Sequence, residues 1–379
     1  MTDSRDAVTA GRGTYRGEVA YLYAFDLAWD MKREPLGKLL GQPVRPFAPG
    51  PTRHRPREMM FFRPQMASLE PVERTGPGGK VTVSRTVKLF PVGALSIRAR
   101  VPFEVNDLRE LRAYHDLSFD DGSLADETRE LAETILEEVR ALCVRPQEKL
   151  PRAEAYTVFC LDNASVGSSA DGGTDAWMKT HRRDVAALLV EDSRPEKLST
   201  QKTEETTAPQ LSYYDDDLII ADWDAALVVE RPRNFDEILH VMELTNVQLA
   251  ELRAYDVALD RRLELSYRHL GGRRRPRRDL PGQLREIRID LARLSDELQN
   301  ITKFFGDWHL ARLYQQLSTR FHLSDWTQTI NQKLRTLDEI YTLLKQDQNN
   351  RWMLILEATI VLLFIIDVII IVWMGSATP

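Results

Sequence analysis

The densest group of chemically capable residues is acidic: Asp215, Asp216, Asp217, Asp222 and Asp224 lie within ten positions of one another. Carboxylates so spaced suit a hard cation, and a metal-dependent hydrolase using Asp215, Asp217 and Asp222 is the catalysis they would support. They also bracket two apolar runs, residues 218–221 and 225–229, so the plainer reading is the solvated ends of a hairpin. Gly76-Pro77-Gly78-Gly79-Lys80-Val81-Thr82 has the outline of a phosphate loop. It carries Arg74 where the first glycine belongs and Val81 where Ser or Thr should follow the lysine, so it reads as a turn. The histidines at 54, 115, 181, 240, 269, 309 and 322 show neither metal-ligand spacing nor a helical pair with a catalytic glutamate. No nucleophile elbow or kinase signature occurs. The two cysteines, Cys143 and Cys160, sit among apolar residues and support neither a disulfide framework nor a zinc site. These residues point to a protein that is not an enzyme, with no cofactor and no metal.

The strongest charge feature is the loop 271–282, which carries Arg273, Arg274, Arg275, Arg277 and Arg278. Five guanidinium groups on one loop attract phosphate, whether of RNA, of a ribosome or of anionic lipid headgroups, with an affinity that falls as salt rises. No aromatic residues are interleaved, which argues against base-specific reading, and a solvated linker is the alternative. The chain as a whole has a net charge of −6, against wholesale nucleic-acid binding.

What must position these groups is organised around the C-terminal stretch 324–374, which has no proline or glycine and passes from a polar helical pattern into an apolar one. This predicts one continuous helix with a transmembrane span over 353–374, long enough to cross a hydrocarbon core of about 30 Å. Trp352 and Trp373 stand where indole rings favour the two interfaces. Lys345 and Arg351 on one side only predict that the N-terminal bulk is cytoplasmic, and the short tail 375–379 predicts a tail-anchored, single-pass arrangement. Glu357 and Asp367 interrupt the span. Glu357 lies about one turn inside it, whereas Asp367 lies deep, where a carboxyl ordinarily faces a partner helix or a wet cavity. Both are therefore expected to be membrane or oligomer contacts.

Upstream, a polar tail at 1–14 precedes a domain over 15–230 that mixes strands and helices without a βαβ rhythm, predicting an α+β fold. Strands are expected over 17–29, over 81–101 as a pair turning at Pro91 and Gly93, and over 155–161. Helices are expected from Asn106 and Asp107, over 124–143 and from Trp177, with 191–210 a polar, mobile segment. The region 231–323 is all helical. Ile238, Met242, Thr245, Leu249, Leu252, Asp256, Leu259 and Leu263 alternate at four and three, the seam of a coiled coil interrupted by Asp256, and Leu284 to Phe305 repeats the rhythm. Ile330, Leu334, Leu337, Tyr341 and Leu344 form a further stripe. The expected fold is thus an α+β N-terminal domain, an all-α coiled-coil half and one C-terminal transmembrane helix.

Phe304-Phe305-Gly306-Asp307-Trp308 with Leu310, Leu313 and Tyr314, then Ile330-Asn331-Gln332-Lys333-Leu334, then Arg351 and a span with Leu356-Glu357 and Ile366-Asp367-Val368, resembles the family named for requirement in meiotic nuclear division. The resemblance covers about residues 213–372 and is densest in the last eighty. It implies a single-span protein carrying a domain of unassigned function, with the family's two acidic span residues falling at Glu357 and Asp367. One member of that family works in mitochondrial translation, but this chain lacks an Arg-rich presequence pattern. The combined expectation is a membrane scaffold that forms homo-oligomers through its helical half and presents the α+β domain to a protein partner. The alternative is a membrane tether for RNA or ribosomes through the arginine loop.

Overall fold

The computed structural model describes residues 14–32, 34–46, 64–166, 173–271, 289 and 308–375. These divide into two compact units. The first takes the described residues up to Ala254 together with a helix over Trp308–Arg320 and the chain to Trp326; the second takes the remainder.

The first unit is built on a mixed sheet. Its principal strands are β1 (Tyr15–Asp26), β2 (Gln65–Ser68), β3 (Gly79–Leu89), β4 (Ala94–Val105), β5 (Glu154–Asp162), β6 (Leu218–Ala221) and β7 (Ala225–Glu230). They lie in the order β6, β7, β5, β1, β4, β3, β2, with the two-residue strands Gln210–Leu211 and Arg45–Pro46 at the two ends. All neighbours are antiparallel except β5 and β7, which need a crossover between them. That crossover carries helices α2 (Gly173–Leu189) and α3 (Thr200–Thr207), while α1 (Leu124–Val139) follows β4.

Strand β1 is buried along Val19–Asp26 on both of its faces, because Val-Ala-Tyr-Leu-Tyr-Ala-Phe offers apolar side chains in both directions. The register assigns the faces. Val19, Tyr21, Tyr23 and Phe25 line up with Val101, Ala99, Ile97 and Leu95 of β4, Val19 also lies opposite Phe159 of β5, and the row shares a core with Ile135 and Leu136 of α1 and Trp177, Met178 and Val185 of α2. The alternate row carries Ala20, Leu22 and Ala24 of β1, Ser96, Arg98 and Arg100 of β4, Lys88 of β3 and Tyr156 and Val158 of β5. Helix α4 (Phe235–Gly271) covers this second face, and its Asn246 amide donates to the carbonyls of Leu22 (3.4 Å) and Glu154 (2.9 Å). The alanines at 20 and 24 leave room for the helix to approach that closely. Beside α4 lies α5 (Trp308–Arg320), whose Tyr314 hydroxyl donates to Gln248 at 2.8 Å.

Every residue from Ile238 to Leu252 is therefore buried, polar ones included. The four-three row Ile238, Met242, Thr245, Leu249 and Leu252 is one face of a helix enclosed all round rather than a single apolar seam. The expected repeat from Leu284 to Phe305 lies outside the described residues, apart from Ile289. In the second unit, the flaw in the row is accounted for: Lys333 of α6 (Leu323–Gly375) sits 2.6 Å from both Asp256 and Asp260. Near them Leu259, Ile330, Leu334 and Leu337 are buried.

One local expectation changes. Residues 191–210 contain α3, which Ser199 caps by accepting from the Lys202 amide at 3.1 Å and which buries Thr203, Thr206 and Thr207. A polar composition concealed a threonine face whose methyl groups pack. The phosphate-loop lookalike is the turn of a hairpin in which Val72–Gly76 pairs with β3, Gly76 lying opposite Gly79.

The turn between β3 and β4 places Gly93 at φ +95°, with an added Cβ only 2.0 Å from the Ala28 carbonyl oxygen. Its own carbonyl accepts from the amides of Leu27 (2.9 Å) and Ala28 (3.3 Å), so the close approach is part of the fold. Gly93→Ala is expected to destabilise the first unit by about 2–4 kcal/mol through backbone strain and overpacking. Denaturant unfolding of the purified protein measures it, and a loss under about 0.5 kcal/mol, the range of a neutral surface change, would refute the role assigned to the turn.

Candidate functional site

The most concentrated arrangement of charged groups in the first unit lies between α4 and the second face of the sheet. Lys88 and Glu243 both have fully inaccessible side chains and form a short ion pair, Nζ donating to Oε2. Ser96 donates to the other carboxylate oxygen at 2.7 Å, and His240 Nδ1 accepts from Lys88 at 3.4 Å. One turn earlier on α4, Asp236 faces Arg98 (3.3 Å) and Arg100 (3.0 Å), and Arg100 Nε also donates to Glu18 at 2.7 Å. At the other end Arg253 reaches Glu154 at 2.6 Å.

The local sequence explains the placement. Lys88, Ser96, Arg98 and Arg100 are on alternating strand positions of one face, and Asp236, His240 and Glu243 recur at four and three along α4. Burial by itself pushes the Glu243 carboxyl up, but Lys88, Arg98 and the hydrogen bond from Lys88 outweigh it and hold the group at about 2. Burial first, then the Lys88 ammonium, lower His240 to about 3, so the imidazole is neutral and its Nδ1 is free to accept. Lys88 and Glu243 are sealed from solvent, so this pair has no direct access to a substrate. Its chemistry is to hold α4 to the sheet in one register.

The residues singled out by sequence fall elsewhere. Asp217 spends its carboxylate on the amides of Tyr213 (2.7 Å) and Tyr214 (3.0 Å), Asp216 accepts from Asn163 (3.1 Å) and Arg231 (3.2 Å), and Asp222 pairs with Arg320 at 2.6 Å. Asp215 accepts on its backbone carbonyl from Thr174. Burial, reinforced by Asp222, raises Asp224. The carboxylates of Asp215, Asp217 and Asp222 thus do not converge, and among the described residues no group of three ligating side chains is placed to hold a metal. Arg273, Arg274, Arg275, Arg277 and Arg278 lie outside the described residues.

In the second unit, α6 runs as helix from Leu323 to Gly375, and within it Trp352–Ile369 forms a stretch of 18 residues with mean hydropathy 2.4 and no residue buried. Its length and composition are those of a membrane span. Trp352 is exposed at its start, Glu357 and Asp367 are exposed within it, and Trp373 falls in the helix beyond it.

Sequence reasoning picked out the apolar helix and missed the buried set. No local signal marked that set: Lys88 takes a polar position in a strand whose apolar residues are Val81, Val83, Val87 and Leu89, and Glu243 stands beside, not on, the four-three row through Met242.

A protein family described as the uncharacterized protein MJ0711, N-terminal domain, matches residues 16–236. The uncharacterized protein MJ0711 of Methanocaldococcus jannaschii is 26% identical over 221 residues, which are 57% of this chain and 65% of that protein, so under two thirds of the relative is covered. No solved structure matches the chain.

Removing one partner of the buried pair strands the other. Glu243→Leu is expected to cost about 3–5 kcal/mol, and Lys88→Met with Glu243→Leu to recover much of that loss. Unfolding of the single and double variants measures the difference; a single variant as stable as the unmodified protein would refute the latch.

The depressed His240 value also sets a pH dependence. The unfolded histidine takes up its proton below about 6.5 and the folded one only below about 3. His240 therefore contributes stability that is complete above about pH 6.5 and is lost as pH falls from there toward 3, by up to about 1.4 kcal/mol per unit. His240→Asn is expected to flatten that part of a stability profile measured from pH 7 to 4.

Proposed function

We propose, from the premise that this chain belongs to the family of the MJ0711 N-terminal domain, that it is a non-enzymatic membrane-anchored scaffold. The family-defining residues 16–236 supply the α+β domain, and the chain beyond residue 236 supplies the attachment. The observation that carries the reading is the uncovered apolar stretch Trp352–Ile369, continuous with a helix of 53 residues. A helix with polar residues before it and none of its apolar side chains covered needs a bilayer. Each Leu, Ile, Val or Phe near mid-span contributes roughly −0.3 to −0.6 kcal/mol to insertion, against about +2.5 to +3.5 for an acidic residue such as Asp367, so the many apolar residues prevail. Lys345 and Arg351 put the α+β domain on the cytoplasmic side.

Self-association through the helical half, coiled-coil pairing of the sequence repeat from Leu284 to Phe305 included, completes the scaffold, and the presented domain recruits a protein partner. A second reading, a membrane tether for RNA or ribosomes, is favoured by the five arginines between 273 and 278.

The mass of the full chain in mild detergent at micromolar concentration tests the scaffold, with membrane extraction at alkaline pH run beside it. An oligomer resistant to extraction is expected, as is release of a variant lacking 352–369. A strict monomer, or a full chain released at alkaline pH, would overturn the reading. RNA co-purifying in a salt-sensitive way, and lost when the five arginines become glutamine, would favour the tether instead.

A further inference from the structure

Both carboxylates of the span lie on one stripe of α6. The helix is unbroken from Leu323 to Gly375, so spacing fixes direction around its axis. Met353, Glu357, Ile360, Phe364 and Asp367 succeed one another at four, three, four and three, the alternation of a helix–helix seam. Met353, Ile360 and Phe364 are 66, 59 and 69% exposed, and among the described residues neither Glu357 nor Asp367 has an ion-pair or hydrogen-bond partner. By contrast the hydroxyl of Thr359, off that stripe, is satisfied by the Ile355 carbonyl at 2.7 Å.

We propose that this stripe is an interface with a second copy of the same chain inside the bilayer, and that Glu357 and Asp367 are its polar contacts, each meeting its own counterpart. The proposal rests on the scaffold reading above. Lipid tails offer a carboxyl neither donor nor acceptor, so a lone helix leaves Asp367 facing hydrocarbon and Glu357 reaching for the headgroups. Copies of one chain insert in the same orientation. Two such helices packed by a two-fold axis along the membrane normal bring each stripe residue opposite itself, which a partner of unrelated sequence has no reason to match. There the O–H of one carboxyl donates to the oxygen of the other, while Met353, Ile360 and Phe364 supply the packing between them.

The test uses the full chain in its membranes, with cysteine placed singly at Ile360→Cys, Phe364→Cys, Leu362→Cys or Ile366→Cys. The last two lie on the opposite side of the helix, and the native Cys143 and Cys160 are buried. Oxidation with copper phenanthroline is expected to give disulfide dimers from Ile360→Cys and Phe364→Cys and few from the other two. Equal or greater yield from Leu362→Cys and Ile366→Cys would overturn the stripe while leaving a self-associating scaffold standing. No dimer from any position, in a protein that is otherwise oligomeric, would overturn it as well, placing association outside the span. No dimer together with a monomeric mass would end the scaffold reading too. A second variant, Glu357→Leu with Asp367→Leu, is expected to insert normally yet weaken self-association of the span roughly tenfold. Undiminished association would show that the carboxyls are not contacts.

Discussion

A helix enclosed on every side while carrying His240, Glu243, Asn246, Gln248 and Glu251 is the constraint on which the first unit depends. Buried polar atoms are tolerated only where they find partners, and a charge is tolerated only where an opposite one meets it. The sheet answers with a lysine, a serine and two arginines on alternating positions of one face, and with two backbone carbonyls that take the Asn246 amide. Apolar packing alone would accept α4 in several rotations about its axis. Only one of them sets Glu243 on Lys88 and Ser96 while Asp236 meets Arg98 and Arg100, so the ionic set selects a register as well as joining two layers.

The same constraint explains why the central strand looks as it does. β1 is sealed on both faces, by α1 and α2 through the aromatic row at Tyr21, Tyr23 and Phe25, and by α4 through the small residues at Ala20 and Ala24. Large side chains fill the wider gap and small ones allow the closer approach. The chain's match to the MJ0711 family ends at residue 236, in the first turn of α4. Lys88, Ser96, Arg98 and Arg100 lie within the matched region, and His240 and Glu243 lie beyond it, so the latch is shared between the family domain and the helix at its end.

The second unit is patterned differently along its length. There Asp256, which breaks an otherwise apolar row, is met by Lys333, a polar answer suited to a half-buried site in water. Farther along α6 the side chains are apolar and uncovered, an arrangement unfavourable in water and ordinary in lipid. One helix thus carries a polar stretch and an apolar one without a break, and composition rather than any change of backbone separates them.

Much of this was legible in the chain itself. The strand-forming residue types around Val19 to Phe25, the Pro91 and Gly93 turn, the Asp107 cap and the unbroken run from Ser324 onward are local signals, and the elements appear where those signals put them. The candidate span was legible for the same reason, since hydropathy over one helix needs no knowledge of the rest of the fold. What the sequence could not determine was which long-range neighbours complete each charge. Lys88 and Glu243 are separated by 155 positions, Glu154 and Arg253 by 99, and nothing near any of them names its partner. The four-three row of α4 was equally visible, but a row records only that one face is apolar, not that the other faces will be covered too. Tertiary structure decided that, by folding a sheet onto one side of the helix and α5 onto another, and so buried a polar set in which Glu243 and Asn246 take their partners from the sheet.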